Sequence, residues 1–106
     1  GDVYKRQVLE VLVLYIPGWV EIDQIVNIAK IVYEADPKVP FTILAFFPTY
    51  KLSNNRPPTL EEMISAFNSV KDIGLKNVKL GNIHIFCRTQ EHLEYLIAMV
   101  GREAIG

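Results

Sequence analysis

The stretch that decides the fold is residues 40–58, PFTILAFFPTYKLSNNRPP, near the middle of a 106-residue chain. Residues 41–47 form an apolar run that is too short to span a membrane and long enough for a buried strand. Pro48 ends this strand, because proline has no N–H to donate to a neighbouring strand. A polar segment follows and leads through Pro57 and Pro58 into an amphipathic helix. In α/β proteins the loop at the carboxyl end of such a strand usually carries the chemistry.

The residues before this stretch predict a strand and a helix. Residues 8–16, VLEVLVLYI, are almost continuously aliphatic, which is typical of a parallel strand covered on both faces. Pro17 and Gly18 end the strand with turn residues, and we expect Trp19 to form a hydrophobic lid over the next helix. Residues 21–35 carry apolar side chains at helical spacing and predict that helix.

The residues after the stretch predict a second helix with a defined start. Thr59-Leu-Glu-Glu62 matches a capping box, with Thr59 as the N-cap and Glu62 at the third helical position. Apolar residues then recur at helical spacing, and Gly74 is suited to the position just beyond the helix end. The carboxylates of Glu61 and Glu62 are therefore interpreted as part of a helix start.

The remaining residues predict a third strand and a third helix. Residues 77–85, NVKLGNIHI, read as a strand with a break at Gly81 and Asn82, and Thr89 caps the last helix. The fold class is therefore α/β, in the order β-α-β-α-β-α with parallel strands. This order fits either an open doubly wound sheet or part of a (β/α) barrel.

Composition excludes several classes of protein and partner. The formal net charge is -1 with acids and bases interspersed, which gives no basis for binding nucleic acid or an anionic membrane. The single cysteine, Cys87, excludes an internal disulfide and fits a reducing, cytoplasmic location. No apolar run approaches the ~20 residues of a transmembrane helix.

The start of the chain predicts that the sequence is a piece of a longer protein. Residues 1–7, GDVYKRQ, resemble a translated sequencing adapter, so we expect them to be non-native and set them aside. Residues 8–106 are then expected to be the carboxyl-terminal part of a domain. A domain cut in this way should self-associate through its exposed strand edges.

Most of the polar residues have ordinary explanations. There is no glycine-rich phosphate loop, and the spacing of His84 and His92 is not that of a metal site. Cys87 is interpreted as a buried small side chain, because no adjacent histidine and carboxylate indicate a nucleophile. Two candidate places remain: the loop at residues 48–51 after the second strand, and the break at Gly81 and Asn82, where a ligand or backbone approaches closely or the strand simply turns.

Three short motifs together resemble one enzyme family. Leu14-Tyr-Ile-Pro-Gly-Trp19 is similar to the strand end VVVPGW or LLIPGY of radical S-adenosylmethionine (SAM) enzymes of the pyruvate formate-lyase activating type. Residues 46–52, FFPTYKL, followed by RPPT at 56–59, resemble the next strand and loop of these enzymes. Residues 74–82, GLKNVKLGN, are similar to a segment of the subfamily encoded beside MEMO homologues. The resemblance covers residues 8 to about 86.

The resemblance implies the carboxyl-terminal half of a partial (β/α)6 TIM-like barrel. In such enzymes a 4Fe–4S cluster on a CxxxCxxC loop cleaves SAM to a 5′-deoxyadenosyl radical, which abstracts hydrogen from a substrate. The implied cofactors are therefore SAM and the cluster, and the implied partners are a protein substrate and a reductant. The CxxxCxxC loop is absent from this sequence, and Cys87 alone cannot hold a cluster. We expect the chain to be inactive alone.

Five residues are assigned by the resemblance. Ile16, Pro48 and Tyr50 take the positions that meet the SAM nucleoside, with Tyr50 where activating enzymes have histidine. Lys51 and Asn82 take positions on the substrate-facing rim. The resemblance assigns this chain neither a catalytic residue nor a metal ligand. The alternative from a different class is a non-enzymatic, flavodoxin-like or ferredoxin-like βα interaction module.

Overall fold

Three strands and three helices alternate along the chain. The computed structural model describes residues 10–47 and 56–105. The elements are β1 (Val11–Tyr15), α1 (Ile22–Ala35), β2 (Phe41–Ala45), α2 (Leu60–Lys71), β3 (Val78–Gly81) and α3 (Gln90–Val100). Short 3₁₀ helices lie at Ile83–Ile85 and Arg102–Ala104. Within the described ranges no helix has both the length and the apolar character needed to cross a membrane.

The sheet is parallel, and its strands lie in the order in which they occur in the sequence. β2 is central, with Val11 of β1 opposite Phe41 and Phe41 opposite Val78 of β3. Crossovers between parallel strands are right-handed, so two successive crossovers in one direction place their helices on the same face. The predicted α/β class and the parallel β-α-β-α-β-α order are confirmed.

One face of the sheet and the three helices form the core. The side chains alternate along each strand, so every second residue faces the helices. The largest fully buried side chains are Tyr15, Ile25, Phe41, Ile43, Met63, Val70, Leu75, Leu80 and Leu96. The core cluster draws on all three strands and all three helices. Burial of this apolar area is the main force that holds the helices on the sheet.

The other face of the sheet is open in the described chain. Leu12 and Leu14 of β1 are 55% and 44% exposed, although both lie in a continuous aliphatic run. Within residues 10–47 and 56–105, the prediction that this strand is covered on both faces is therefore wrong. The physical reason is topological: the two crossover helices lie on one side and α3 packs into the same core, so no described element covers the opposite side.

The third strand is shorter than predicted. β3 ends at Gly81, and Ile83–Ile85 forms a 3₁₀ helix, so the second half of the predicted strand is wrong. Asn82 causes the change, because its backbone is in the left-handed region (φ 56°, ψ 40°), which turns the chain out of the extended conformation. The alternation of apolar residues around His84 therefore comes from a tight turn.

The predicted helix starts are confirmed. Thr59 caps α2, and the capping box is complete, because Glu62 N–H donates to Thr59 Oγ1 (3.2 Å) and Thr59 N–H donates to Glu62 Oε1 (2.9 Å). Thr89 caps α3 through its side chain alone, because the N–H of His92 donates to Thr89 Oγ1 (3.1 Å). These short polar side chains satisfy N–H groups that have no partner inside the helix.

The three helices lie in a row, with α2 in the middle. α2 contacts both α1 and α3 and carries more buried residues than either. Gly74, just beyond α2, lies against the ring of Tyr33 on α1, which places α2 on the Tyr33 side of α1. Ile28 and Ile31 lie on the opposite side of α1 at helical spacing and are 37% and 70% exposed.

We predict that Gly74→Ala destabilises the fold more than Gly101→Ala. Both glycines have a positive φ, 120° and 90°, so either alanine should lower the free energy of unfolding by about 1–3 kcal/mol. At Gly74 the added Cβ would also lie 2.7 Å from Cε1 of Tyr33, whereas nothing lies within 4 Å of the added Cβ at Gly101. Urea denaturation of both variants measures the difference. Equal costs would show that the Tyr33 ring yields freely.

Candidate functional site

The carboxyl edge of the sheet brings together the ends of all three strands. Ile16 follows β1, Phe46 and Phe47 follow β2, and Asn82 follows β3. Parallel strands with helical crossovers place their connecting loops at this edge, where α/β proteins bind ligands. We therefore build the candidate site here.

A tight turn fixes the chain after β1. Trp19 N–H donates to the carbonyl of Ile16 (2.8 Å), and Gly18 has φ 91°, which is the geometry of a type II turn with proline and glycine in the middle. Ile16 N–H also donates to Val20 O (3.1 Å), and Val20 N–H donates back to Ile16 O (2.8 Å). Glu21 accepts from the N–H of Gly18. The backbone groups of Ile16 are thus already used, and its side chain is buried.

Two aromatic side chains make the rim apolar. Trp19 is 57% exposed, and Phe47 is 64% exposed. A side chain packed as a lid over α1 would be largely buried. Because the Trp19 side chain is mostly exposed, the predicted role of Trp19 as a hydrophobic lid is wrong. Large exposed rings at the end of a sheet can instead contact a planar ligand or a partner protein.

Asn82 joins the ends of β2 and β3. Its side-chain Nδ2 donates to the carbonyl of Ala45 at 3.2 Å, and that carbonyl belongs to the last residue of β2. Asparagine tolerates the left-handed backbone better than most residues. The predicted rim residue therefore lies at the carboxyl edge, where it fixes the relative position of two strand ends.

The break at Gly81 makes room for a side chain. Gly81 is buried in β3, and a Cβ added there would overlap Cδ2 of Leu44, its neighbour in the register. The close approach expected at this glycine is therefore made by Leu44 on the open face. The missing side chain at Gly81 lets β2 and β3 pair without displacing Leu44.

Arg56 and Glu62 form an ion pair at the start of α2. The two guanidinium nitrogens Nη1 and Nη2 donate to the two carboxylate oxygens of Glu62, each at 2.7 Å. The Arg56 hydrogen bonds are the main reason that the pKa of Glu62 falls to about 2, with the N–H of Thr59 contributing in the same direction. Sequence reasoning found Glu62 as a capping residue and missed Arg56. An arginine six residues before the capping glutamate is the signal that could have found it.

Tyr15 is a buried polar residue near this pair. It is the last residue of β1 and is 2% exposed. Burial is the largest reason that its pKa rises to about 12, and the carboxylates of Glu62 and Glu21 raise it further. Like any tyrosine hydroxyl, this group is protonated at neutral pH and can donate a hydrogen bond. Sequence reasoning treated this residue only as part of a strand.

The other predicted site residues fall into two groups. Pro48, Tyr50 and Lys51 lie outside the described residues. Cys87 is partly buried against the core, and burial raises the pKa of its thiol, so the side chain is a protonated thiol at neutral pH. Across residues 10–47 and 56–105, no three histidine, cysteine or acidic side chains are grouped to hold a metal ion.

A cavity of about 370 Å³ lies away from these residues. It is bounded by the first residues of β3 and by parts of α2 and α3, at the amino end of the strand. Its lining includes Phe67, Lys71, Lys76, Val100 and Glu103. No residue assigned from the sequence lines it. In parallel α/β folds this end of the sheet contributes to stability more often than to chemistry.

Comparisons with known proteins identify neither a family for this chain nor a relative with the same fold. The chain matches no protein-family model, and no curated protein or solved structure is significantly similar to it.

We predict that Asn82→Ala destabilises the carboxyl edge by about 1–3 kcal/mol. Alanine removes the hydrogen bond to the carbonyl of Ala45 and is also unfavourable in the left-handed region. Asn82→Gly removes only the hydrogen bond, because glycine adopts this backbone freely. Chemical denaturation should therefore rank the wild type above Asn82→Gly and Asn82→Gly above Asn82→Ala. A glycine variant as stable as the wild type would mean that the hydrogen bond contributes nothing.

We also predict a loss of stability in acid that depends on Glu62. The pKa of Glu62 is about 2 in the folded chain and 4.5 ordinarily. The stabilisation of the fold by the ionised Glu62 carboxylate is therefore complete above pH 4.5 and disappears as the pH falls towards 2. Because the pair is partly exposed, with 57% of the Arg56 side chain accessible, we expect only about 1 kcal/mol.

The free energy of unfolding measured between pH 2 and pH 7 tests this prediction. Glu62→Gln should flatten the acid limb, because the variant has no carboxylate to protonate at this position. Glu61→Gln is the matched control, since it removes a carboxylate from the same helical turn and leaves the Arg56 pair intact. An unchanged acid limb in Glu62→Gln would contradict the assignment.

Proposed function

We propose that residues 8–106 are part of the barrel of a radical SAM enzyme of the pyruvate formate-lyase activating type. In this proposal the chain supplies successive βα units of a partial (β/α)6 barrel. The observation that carries it is the order β1-β2-β3 with every crossover helix on one face. Barrels are built from units in this arrangement, with helices outside and the open face of the sheet inside.

The distribution of exposed apolar residues supports a barrel. The open face presents Leu12 and Leu14, which would face the barrel interior. At the other edge of the sheet, Ile105 forms a parallel bridge with Leu80 of β3. Residue 105 thus lies where the next parallel strand of a barrel would begin, after the third helix.

The two outer helices support the same proposal. Ile28 and Ile31 line the side of α1 that faces away from α2. On α3, Tyr95 and Met99 are four residues apart and therefore share one side of the helix, whereas Leu96 is buried in the core. Tyr95 and Met99 are 42% and 46% exposed. In a barrel these two sides would be covered by the helices of adjoining units.

The residues of this chain fit a contribution to SAM binding and do not fit a 4Fe–4S cluster. A 4Fe–4S cluster needs several thiolates, and this sequence has one cysteine, so the cluster cannot be held here. The proposed contribution to SAM comes from the strand ends, at Ile16, Pro48 and Tyr50. Because both backbone groups of Ile16 are used by Val20, Ile16 would contribute only its side chain.

The proposed substrate rim consists of Lys51 and Asn82. One N–H of the Asn82 carboxamide already donates to Ala45 O, which leaves its second N–H and its oxygen as the groups that would face a substrate. Exposed Trp19 and Phe47 extend the rim with apolar surface. SAM, when bound beside a cluster on the rest of the enzyme, supplies radical chemistry, and this chain would shape the site around it.

The alternative is a non-enzymatic βα interaction module. Exposed rings at Trp19 and Phe47 and exposed leucines on the open face favour a protein partner. The strand order argues against the two named versions of this alternative. Flavodoxin-like sheets have the order 2-1-3 and helices on both faces. Ferredoxin-like sheets contain antiparallel pairs, whereas the described strands are all parallel.

The proposal predicts cysteines upstream of residue 8. Extending the reading frame by ~200 residues in the source DNA, as expected for a barrel of ordinary size, should reveal a CxxxCxxC motif. The extended protein, reconstituted with iron and sulfide under anaerobic conditions and reduced with dithionite, should release 5′-deoxyadenosine from SAM. Residues 8–106 alone should release none.

The control is the extended protein with the three motif cysteines changed to serine. It should fold and yet produce no 5′-deoxyadenosine, because the cluster has no ligands. An initiator methionine directly before Val8, or an extended frame without the cysteine motif, would overturn the proposal.

A further inference from the structure

The cavity beside β3 is formed by consecutive elements of the described chain. Its volume of about 370 Å³ lies within the range of ~300–1,000 Å³ that is typical of small-molecule sites. Its walls are the last turns of α2 and α3, the 3₁₀ helix at Arg102–Ala104 and the first residues of β3. A strand continuing the parallel bridge between Leu80 and Ile105 would run towards the carboxyl edge of the sheet. Such a strand would leave the cavity open, because the cavity lies at the amino end.

The backbone of β3 presents hydrogen-bonding groups to this cavity. Phe41 N–H donates to the carbonyl of Asn77 (2.8 Å), so residue 77 bonds towards β2. Bonding direction alternates along a strand, so Val78, which lines the cavity, directs its N–H and C=O away from β2. On that side Ile105 bridges Leu80 and not Val78. Within the described residues the N–H of Val78 therefore has no strand partner and is a donor available to a ligand.

The side chains that line the cavity carry a net positive charge. Lys71, Lys76 and Lys79 supply three positive charges against one negative charge from Glu103, a net charge of +2. Lys71 Nζ donates to the carbonyl of Lys76 (3.3 Å), which holds this ammonium group beside the segment that leads into β3. Among the described residues the ion pair is between Arg56 and Glu62, and these three lysines have no carboxylate within ion-pair distance. Their charge is therefore available to an anionic ligand.

Apolar side chains complete the lining. Phe67, Val78 and Ala104 are buried, and Val100 packs against the core at the end of α3. A bare phosphate ion would leave these side chains uncovered, whereas an attached carbon skeleton would contact them. The lining is thus suited to a ligand with one anionic end and one apolar end.

We propose that this cavity binds a small organic phosphate. A phosphate monoester carries a charge of about −1.5 to −2 at neutral pH, which matches the charge of the lining, whereas a carboxylate would leave one positive charge uncompensated. The phosphate accepts hydrogen bonds from Val78 N–H and from the ammonium groups of Lys71 and Lys76, and its carbon skeleton packs against Phe67 and Val100. This inference goes beyond the radical SAM proposal and does not depend on it, because the cavity lies at the opposite end of the sheet from the proposed SAM site.

Titration of three probes into the isotope-labelled 106-residue chain, followed by NMR, tests the inference. Phenyl phosphate should shift the amide signals of Val78, Lys79 and Ala104 in a saturable manner. It should bind more tightly than inorganic phosphate, because its ring contacts Phe67, and more tightly than benzoate, which has a single negative charge. The absence of saturable shifts at these amides would overturn the inference. Inorganic phosphate that binds as tightly as phenyl phosphate would show an adventitious ion only, and benzoate that binds as tightly would contradict the assignment to phosphate.

Two substitutions with opposite expected effects test the role of charge. Lys76→Gln should raise the dissociation constant of phenyl phosphate about fivefold, and Glu103→Gln should lower it by about the same factor. Both side chains are exposed, so neither substitution should disturb the core. Lys30→Gln removes a lysine from the exposed surface of α1 and is the matched control, with no expected change. Equal weakening by Lys30→Gln and Lys76→Gln would mean that phosphate binds to surface charge in general.

A third substitution tests the cavity without any change of charge. Ala104→Leu places a larger side chain at the cavity wall and should abolish the binding of phenyl phosphate while the amide spectrum remains that of a folded chain. A folded Ala104→Leu variant that binds phenyl phosphate as the wild type does would place the ligand elsewhere. If this variant does not fold, the two exposed charge variants still decide the question.

Discussion

The handedness of the crossovers is the constraint on which the rest of the structure depends. Two right-handed βα crossovers in the same direction place α1 and α2 on one face of the sheet, and α3 joins the same core through Leu96. The core is therefore one-sided, and α2, between two neighbours, carries the most buried residues. The outer sides of α1 and α3 and the whole opposite face of the sheet have no described cover. The exposed apolar surface is thus a direct consequence of topology.

At the carboxyl edge, short-range polar contacts hold the strand ends in place. The turn after β1 uses both backbone groups of Ile16, and Asn82 ties β3 to β2 through the Ala45 carbonyl. The Arg56–Glu62 pair fixes the start of α2. Each strand end is held by a hydrogen bond that does not involve a ligand, so the backbone of a site at this edge is formed without one. A site formed in advance binds at a lower cost in ordering.

Local patterns allowed the helices to be predicted well and the strand ends poorly. Thr59 with Glu62, and Thr89, mark helix starts because capping depends on residues only three apart. The end of β3 depends on the left-handed backbone of Asn82, and the apolar residues at 83 and 85 imitate a strand. Arg56 could have been found from its position six residues before Glu62. Tyr15 was missed as a member of the edge because its environment includes residues from other elements, such as Glu62. Spacing within one segment contains no information about such long-range neighbours.

The burial of β1 is where sequence and structure differ most, and the difference is informative. A strand that is aliphatic at nearly every position is expected where both faces are covered, yet Leu12 and Leu14 are exposed. If this face of the sheet were open to solvent, polar residues at these two positions would not lower the stability of the fold. The leucines are therefore better explained by contact with something outside the described residues. A barrel interior would cover their side chains, and the preceding strand of such a barrel would pair with their backbone groups. This explanation begins from one physical fact, which is that among the described strands β1 has the composition of a central strand and the position of an edge strand.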